Sequence, residues 1–266
     1  MQKTFAIRID LESSKGIKKG LPKILNLLEK YGVKASFYLV MGGESNLLEL
    51  LKYRKRLSSA AERKIRVFSK AELLRMAVFP KDFVGENKEI LRKILYEGHE
   101  LGIHGWKHRA WTRGLEEINV ARHLDLAIKK YKNIFGVYPE SFAAPAFNTN
   151  EKIIKMLENK GISVISDFEG EKPFNIEGTR ITNVPITIKG KNNTPIIEYL
   201  VTNGYSDEEI LNYLKAEIRK KRLAVIYIHD LYECINKIPL LEKLLLFLKE
   251  SKVAIKTIKQ IARDKK

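Results

Sequence analysis

Apolar positions follow two alternating periods along the chain. Short runs rich in Ile, Val, Leu, Phe and Tyr read as strands over Thr4–Ile9, Lys34–Val40, Leu101–His104, Glu140–Ala143, Ser163–Ser166, Arg222–His229 and Val253–Ile255. Between them apolar residues recur at helical spacing. Gly20–Tyr31 places Leu21, Ile24, Leu25 and Leu28 on one face and is stopped by Gly32. The same spacing predicts helices over Asn87–Tyr96, Gly114–Phe135, Asn150–Lys160, Ser206–Lys220, Ile238–Glu250 and Thr257–Arg263. Strands alternating with helices imply βαβ units and parallel pairing. Seven or eight such units predict an α/β fold, an irregular (β/α) barrel of about seven parallel strands, as a single domain over residues 1–266. No internal repeat is visible at periods of about 20 to 50 residues.

One stretch breaks the rhythm. Residues 45–84 form a helical insertion between the second strand and the Asn87–Tyr96 helix. It carries Leu47, Leu48, Leu50, Leu51 and Leu57. Its basic run comprises Lys52, Arg54, Lys55, Arg56, Arg63, Lys64, Arg66 and Lys70, against Glu62 alone. Such a segment is either a solvated helix pair packed on the barrel or a surface that meets acidic lipid head groups. The whole chain has 49 basic and 32 acidic residues, a net charge of +17. That excess suits a polyanionic partner, although abundant Lys, Glu and Ile also fit a thermophilic host. No apolar run approaches the roughly 18 residues of a membrane span. The N-terminus enters a strand pattern at once, so the expected location is the cytoplasm, with peripheral attachment to the cytoplasmic membrane face. Cys234 stands alone, which excludes an internal disulfide and any cysteine-only metal site.

The candidate chemistry gathers at strand ends, where parallel α/β folds place catalytic groups. Asp10 and Glu12 follow the first strand, His104 and His108 the third, and His229 and Asp230 the long late strand. Ala143–Pro145 and Ser166–Asp167 occupy equivalent positions after the fourth and fifth. His104 and His108 stand four residues apart, which on a helical turn brings both imidazoles to one face. A carboxylate from another strand end would complete a two-histidine, one-carboxylate metal set with open positions. His99, His123 and Cys234 read as structural, solvated and passive, respectively.

The order DxE, HxxxH, AxP, SD and IxIH resembles the polysaccharide deacetylases with a NodB homology domain. The resemblance extends over nearly the whole chain. Arg8–Glu12, Ala35–Gly42, Gly98–Trp111, Ala143–Pro145, Ser166–Asp167 and the basic insertion resemble the subgroup that deformylates formamido-arabinose on a polyprenyl phosphate. The resemblance implies a (β/α) barrel and a metal-dependent hydrolase of linear, non-peptide C–N amide bonds, acting on an N-formyl or N-acetyl amino sugar. It implies Asp10 as general base, Glu12, His104 and His108 as metal ligands, His229 as general acid, and Asp167 as the acidic residue orienting that histidine. Zinc is the expected metal, with cobalt, nickel or manganese as alternatives. Two positions depart from the family pattern. Glu12 stands where Asp is usual, and Ala143 stands where an arginine usually steadies the base.

A divalent metal would activate water and polarise the acyl carbonyl. A backbone N–H after Pro145, near Ala146, is the candidate oxyanion donor. Trp106 and Trp111, with Phe147, are candidate walls of a sugar site. Competing readings are a deacetylase of soluble oligosaccharide, a hydrolase of small amides or cyclic imides, and a basic nucleic-acid-binding protein on an inactive barrel. The last would leave the strand-end constellation unexplained and lacks a basic stripe with interleaved aromatics.

Overall fold

A computed structural model of the chain describes residues 3–45, 49, 52 and 69–265. Seven parallel strands form the barrel wall: β1 (Thr4–Leu11), β2 (Ser36–Leu39), β3 (Glu100–Ile103), β4 (Ser141–Phe142), β5 (Val164–Ile165), β7 (Thr182–Asn183) and β8 (Leu223–His229). They lie in the order β7-β5-β4-β3-β2-β1-β8. A short strand β6 (Phe174–Asn175) pairs antiparallel with β7, and β9 (Ala254–Ile255) pairs with the start of β1. Between β7 and β8 the ladder is irregular. The main-chain N–H groups of Thr187 and Ile188 both donate to the Val225 carbonyl, and the Thr187 hydroxyl bonds Leu223 and Val225. These few bonds curl the sheet round toward closure.

The alternation of β1 explains both faces of the wall. Phe5, Ile7, Ile9 and Leu11 are buried in the outer core beneath the helices, whereas Ala6 joins Tyr38, Val225 and Tyr227 in a separate interior cluster. Period two therefore puts Arg8 and Asp10 on the interior face with Ala6. Among the described residues, the α-helices with defined bounds are α1 (Leu21–Tyr31), α2 (Lys70–Val78), α3 (Phe83–Glu86), α4 (Lys88–Tyr96), α5 (His108–Gly114), α6 (Val120–Phe135), α7 (Glu151–Asn159), α8 (Ile196–Thr202), α9 (Asp207–Lys220), α10 (Glu233–Asn236), α11 (Ile238–Glu250) and α12 (Ile258–Arg263). Each long helix buries one stripe; α1 buries Leu21, Ile24, Leu25 and Leu28 and ends at Gly32, whose φ of 65° is the left-handed turn that glycine adopts without strain.

Three features differ from the sequence expectation. The single helix expected over Gly114–Phe135 is broken: α5 ends at Gly114, and Asn119 starts α6 by accepting the Arg122 N–H through its side chain. The helix α8 and the β6–β7 pair were not anticipated. The expected strands β4 and β5 shrink to two paired residues each, because the curved wall satisfies only a short ladder there. Much of the basic insertion, including Arg54, Lys55, Arg56, Arg63, Lys64 and Arg66, lies outside the described residues. No helix among the described residues is long and apolar enough to cross a membrane.

Candidate active site

The ladders carry the functional residues to one mouth of the barrel. Asp10 and His229 are register partners on adjacent strands, and the Asp230 N–H donates to the Asp10 carbonyl. His104 sits one residue past β3, where its N–H donates to the Leu39 carbonyl. Glu12 lies in the loop after β1. The Asp230 carboxylate holds this loop, accepting the N–H groups of Glu12 at 3.1 Å and Ser13 at 3.2 Å. Gly16 allows the approach, since a Cβ there would lie 2.2 Å from that carboxylate.

Three imidazoles converge on Glu12. Its Oε1 lies 3.0 Å from His108 Nε2, 3.4 Å from His104 Nε2 and 3.6 Å from His229 Nε2. His104 Nδ1 is 2.7 Å from the Ala143 carbonyl. A carbonyl only accepts, so Nδ1 carries a hydrogen and Nε2 is the ring nitrogen turned toward Glu12. Glu12, His104 and His108 each offer a donor atom within 4.8 Å of the others. Two imidazole nitrogens and a carboxylate oxygen suit a divalent transition metal such as zinc and leave coordination positions open. The sequence-derived ligand trio thus comes together, and Glu12 reaches it despite its extra methylene.

Asp10 is held from behind by Arg8. The Arg8 Nε and a terminal nitrogen donate to the two Asp10 oxygens, each at 2.8 Å, and a third nitrogen donates to the Ser166 carbonyl at 2.7 Å. The guanidinium is enclosed by the rings of Tyr38, Phe147 and Tyr227. Burial opposes ionisation of Asp10, yet Arg8, His104 and His229 override it and hold the carboxyl below its ordinary value. The guanidinium expected at position 143 is therefore supplied from position 8. Sequence reading passed over Arg8, although the i, i+2 spacing from Asp10 was a visible signal.

Asp167 does not contact His229, which corrects its expected role. One of its oxygens accepts the Ala144 N–H at 2.7 Å and lies 3.9 Å from Arg8. Burial raises this carboxyl to about 6. The acid beside His229 is instead Glu198 of α8, whose Oε1 is 3.1 Å from His229 Nδ1. With α8 unanticipated, nothing in the sequence tied Glu198 to the site.

Pro145 is buried and packs near Gly105, while Ala146 is exposed in a turn where Ala146 and Phe147 both adopt positive φ, 55° and 58°. The Phe147 and Asn148 N–H groups close the turn onto the carbonyls of Ala144 and Pro145. The preceding N–H, that of Ala146, has no partner within such a turn. Trp111 is a second correction: it is fully buried against Phe142, and its indole N–H donates to the Asn148 carbonyl, so it braces this turn and cannot wall a sugar site. Trp106 is half-buried, with the Lys130 ammonium over its ring. His99 is structural, its Nδ1 accepting the Ala35 N–H, and burial lowers it to about 4. His123 is half-buried on α6 rather than solvated.

A barrel with this mouth defines a class, and comparison with known proteins agrees. The model of the polysaccharide deacetylase family matches residues 2–165, which include Asp10, Glu12, His104 and His108. The chain belongs to the polysaccharide deacetylase family and is a hydrolase of non-peptide C–N amide bonds, of the kind that takes an N-acyl group off a sugar. The model of glycosyl hydrolase family 57 matches residues 110–259, a stretch without Asp10, Glu12 or His104. A protein of Shewanella sediminis (strain HAW-EB3), named "Probable 4-deoxy-4-formamido-L-arabinose-phosphoundecaprenol deformylase ArnD", is 24% identical over 93% of this chain and 82% of its own. Among solved structures, the Xyl-CE4 domain of a multidomain xylanase from the hindgut metagenome of Trinervitermes trinervoides superposes with a TM-score of 0.57 at 16% identity, over 100% of this chain and 92% of that one. BA3943, a CE4 family pseudoenzyme from Bacillus anthracis, gives a TM-score of 0.60 at 15% identity over 98% of this chain and 66% of that one. That likeness extends to a pseudoenzyme, so the shared fold does not by itself distinguish active from inactive members.

Proposed function

We propose that this protein is a metal-dependent hydrolase that removes a formyl or acetyl group from an amino sugar carried on a polyprenyl phosphate. The convergence of the His104, His108 and His229 Nε2 atoms on Glu12, with an Arg8-held Asp10 beside them, carries this reading. Glu12, His104 and His108 would hold the divalent metal, zinc by its donor set. Bound there, such a cation supplies Lewis acidity to the acyl carbonyl and acidity to a water molecule. Asp10, ionised and fixed by Arg8, accepts the proton of the attacking water. His229 delivers a proton to the departing amine, its Nδ1 turned to Glu198 so that Nε2 faces the site. The Ala146 N–H faces the developing oxyanion. The amino sugar and formate or acetate leave as products.

The lipid-linked substrate is supported by the name of the Shewanella relative and by the net charge of +17, which suits a phosphorylated substrate. The test is release of formate or acetate from formamido- and acetamido-sugars, each offered free and as the polyprenyl-phosphate conjugate. The reading predicts turnover that is lost on chelation, restored by zinc, and fastest on a lipid-phosphate conjugate. Turnover undiminished by chelation, or confined to free oligosaccharide, would contradict it.

A further inference from the structure

Two carboxyl groups lie in the core behind His229, on the Nδ1 side of the ring. Glu198 comes from α8 and Glu233 from the first turn of α10, and they are 1% and 0% exposed. One donor-type atom each from Glu198, His229 and Glu233 lies within 4.8 Å of the others. Glu198 Oε1 is 3.1 Å from His229 Nδ1, and Glu233 Oε2 accepts the main-chain N–H of His229 at 2.9 Å. The remaining Glu233 oxygen, Oε1, is enclosed and receives no hydrogen bond. Among the described residues, the titratable groups that act on or are acted on by Glu233 include Glu198 on α8, His229 and Tyr227 on β8 and Cys234 on its own helix.

An ionised carboxylate only accepts hydrogen bonds, so an ionised Glu233 would bury a charge with one oxygen unserved. Two ionised carboxylates around a single imidazole would add like-charge repulsion in a low dielectric. A proton on Glu233 removes both costs and turns the unserved oxygen into a donor beside Glu198. We propose that Glu198 and Glu233 share one proton, held on Glu233, so that a single negative charge faces His229 Nδ1 and keeps Nε2 turned into the mouth of the barrel. The pair are positioning residues, and that role rests on the reading of His229 as the proton donor. Burial, with Glu198 as the next cause, raises Glu233 to about 8, consistent with a carboxyl that keeps its proton at neutral pH.

The test starts with infrared spectroscopy of the zinc-loaded protein from about pH 7 to 10. The C=O band of a protonated carboxylic acid should be present at pH 7, fade as pH rises through about 8, and be missing from Glu233→Gln. Stability supplies a second readout. A folded-state value of about 8 against an ordinary 4.5 gives stability that is fully present below 4.5 and lost as pH rises through 8. The Tm advantage of Glu233→Gln over wild type should therefore widen across that window and level off above it. Glu198→Gln should lower kcat by about 10²-fold with KM held, as expected when a general acid loses its orienting charge. No acid band at pH 7 in the wild type, or a band untouched by Glu233→Gln, would overturn the proposal. So would a second equivalent of zinc per chain that Glu233→Gln removes, since a cation would then hold the pair. Full turnover in Glu198→Gln beside the expected band would overturn the positioning role and the reading of His229, while the shared proton stood.

Discussion

Arg8 closes on both oxygens of Asp10 inside an aromatic cage, and this pair fixes the Asp10 carboxylate in place. Replacing Arg8 with Met would leave Asp10 and Asp167 buried without the guanidinium that both carboxyl groups face. Breaking a buried pair in this way costs about 3–5 kcal/mol. Urea unfolding should show that loss at pH 7. The sign follows from Asp10, whose folded value is depressed below the ordinary 3.8: the pair contributes stability above that value and loses it as pH falls through the folded one. The destabilisation by Arg8→Met should therefore shrink toward acid pH, and a deficit that is constant down to about pH 2 would refute the pairing. His104→Ala and His108→Ala should each remove metal and activity while circular dichroism shows the fold retained; full metal occupancy in both variants would remove them from the ligand set. The gathering of Asp10, Glu12, His104 and His108 at one mouth was legible because spacing and strand ends are local properties of the sequence. The partner of His229 was not, because Glu198 meets it across a contact that residue order does not encode, whereas Arg8 stands two residues before Asp10 on the same strand face and its signal was overlooked. Asp167 was expected beside His229 and instead caps the Ala144 N–H.

At the scale of elements, the loop after β1 depends on the end of β8. Asp230 accepts the N–H groups of both Glu12 and Ser13, so the loop that carries Glu12 is tied to the end of the strand bearing His229. Asp230→Ala should weaken zinc binding by about 10- to 100-fold, the usual effect of removing an outer-shell support, measured by competition with a chromogenic chelator. Unchanged affinity would show that the loop holds its shape unaided. Strongly periodic elements such as β1, β8, α1 and α11 were legible from their apolar pattern. The break between α5 and α6 was not, because Asn119 acts through a cap that interrupts an otherwise continuous helical pattern. The helix α8 follows Pro195 and is only seven residues long, too short for periodicity to announce it.

For the whole molecule, the net charge and the insertion raise the question of where the enzyme works. Lys107, the neighbour of His108, lies 3.6 Å from Glu49, and Lys52 lies 3.2 Å from Glu117, so the start of the insertion rests beside the segment that carries His108. Leu74 in the middle of α2, Val78 at its end and Phe79 just past it are exposed. Basic and apolar groups on the side of the active mouth suit an acidic membrane surface, each basic group adding about 1 kcal/mol near such a surface. Sedimentation with acidic vesicles should show binding that falls with salt and weakens when Lys52, Arg54, Lys55 and Arg56 are changed to Gln. Equal, salt-insensitive partitioning, or none, would return the insertion to a solvated cap.

The central claim, that Asp10 and the metal set beside it hydrolyse an N-acyl amino sugar, is tested most directly by acyl release from a formamido-sugar polyprenyl phosphate by zinc-loaded wild type and Asp10→Asn, with zinc content measured in both. Equal zinc in the two proteins and a rate at least about 10²-fold lower in Asp10→Asn are expected. Equal rates at equal zinc content would contradict the claim.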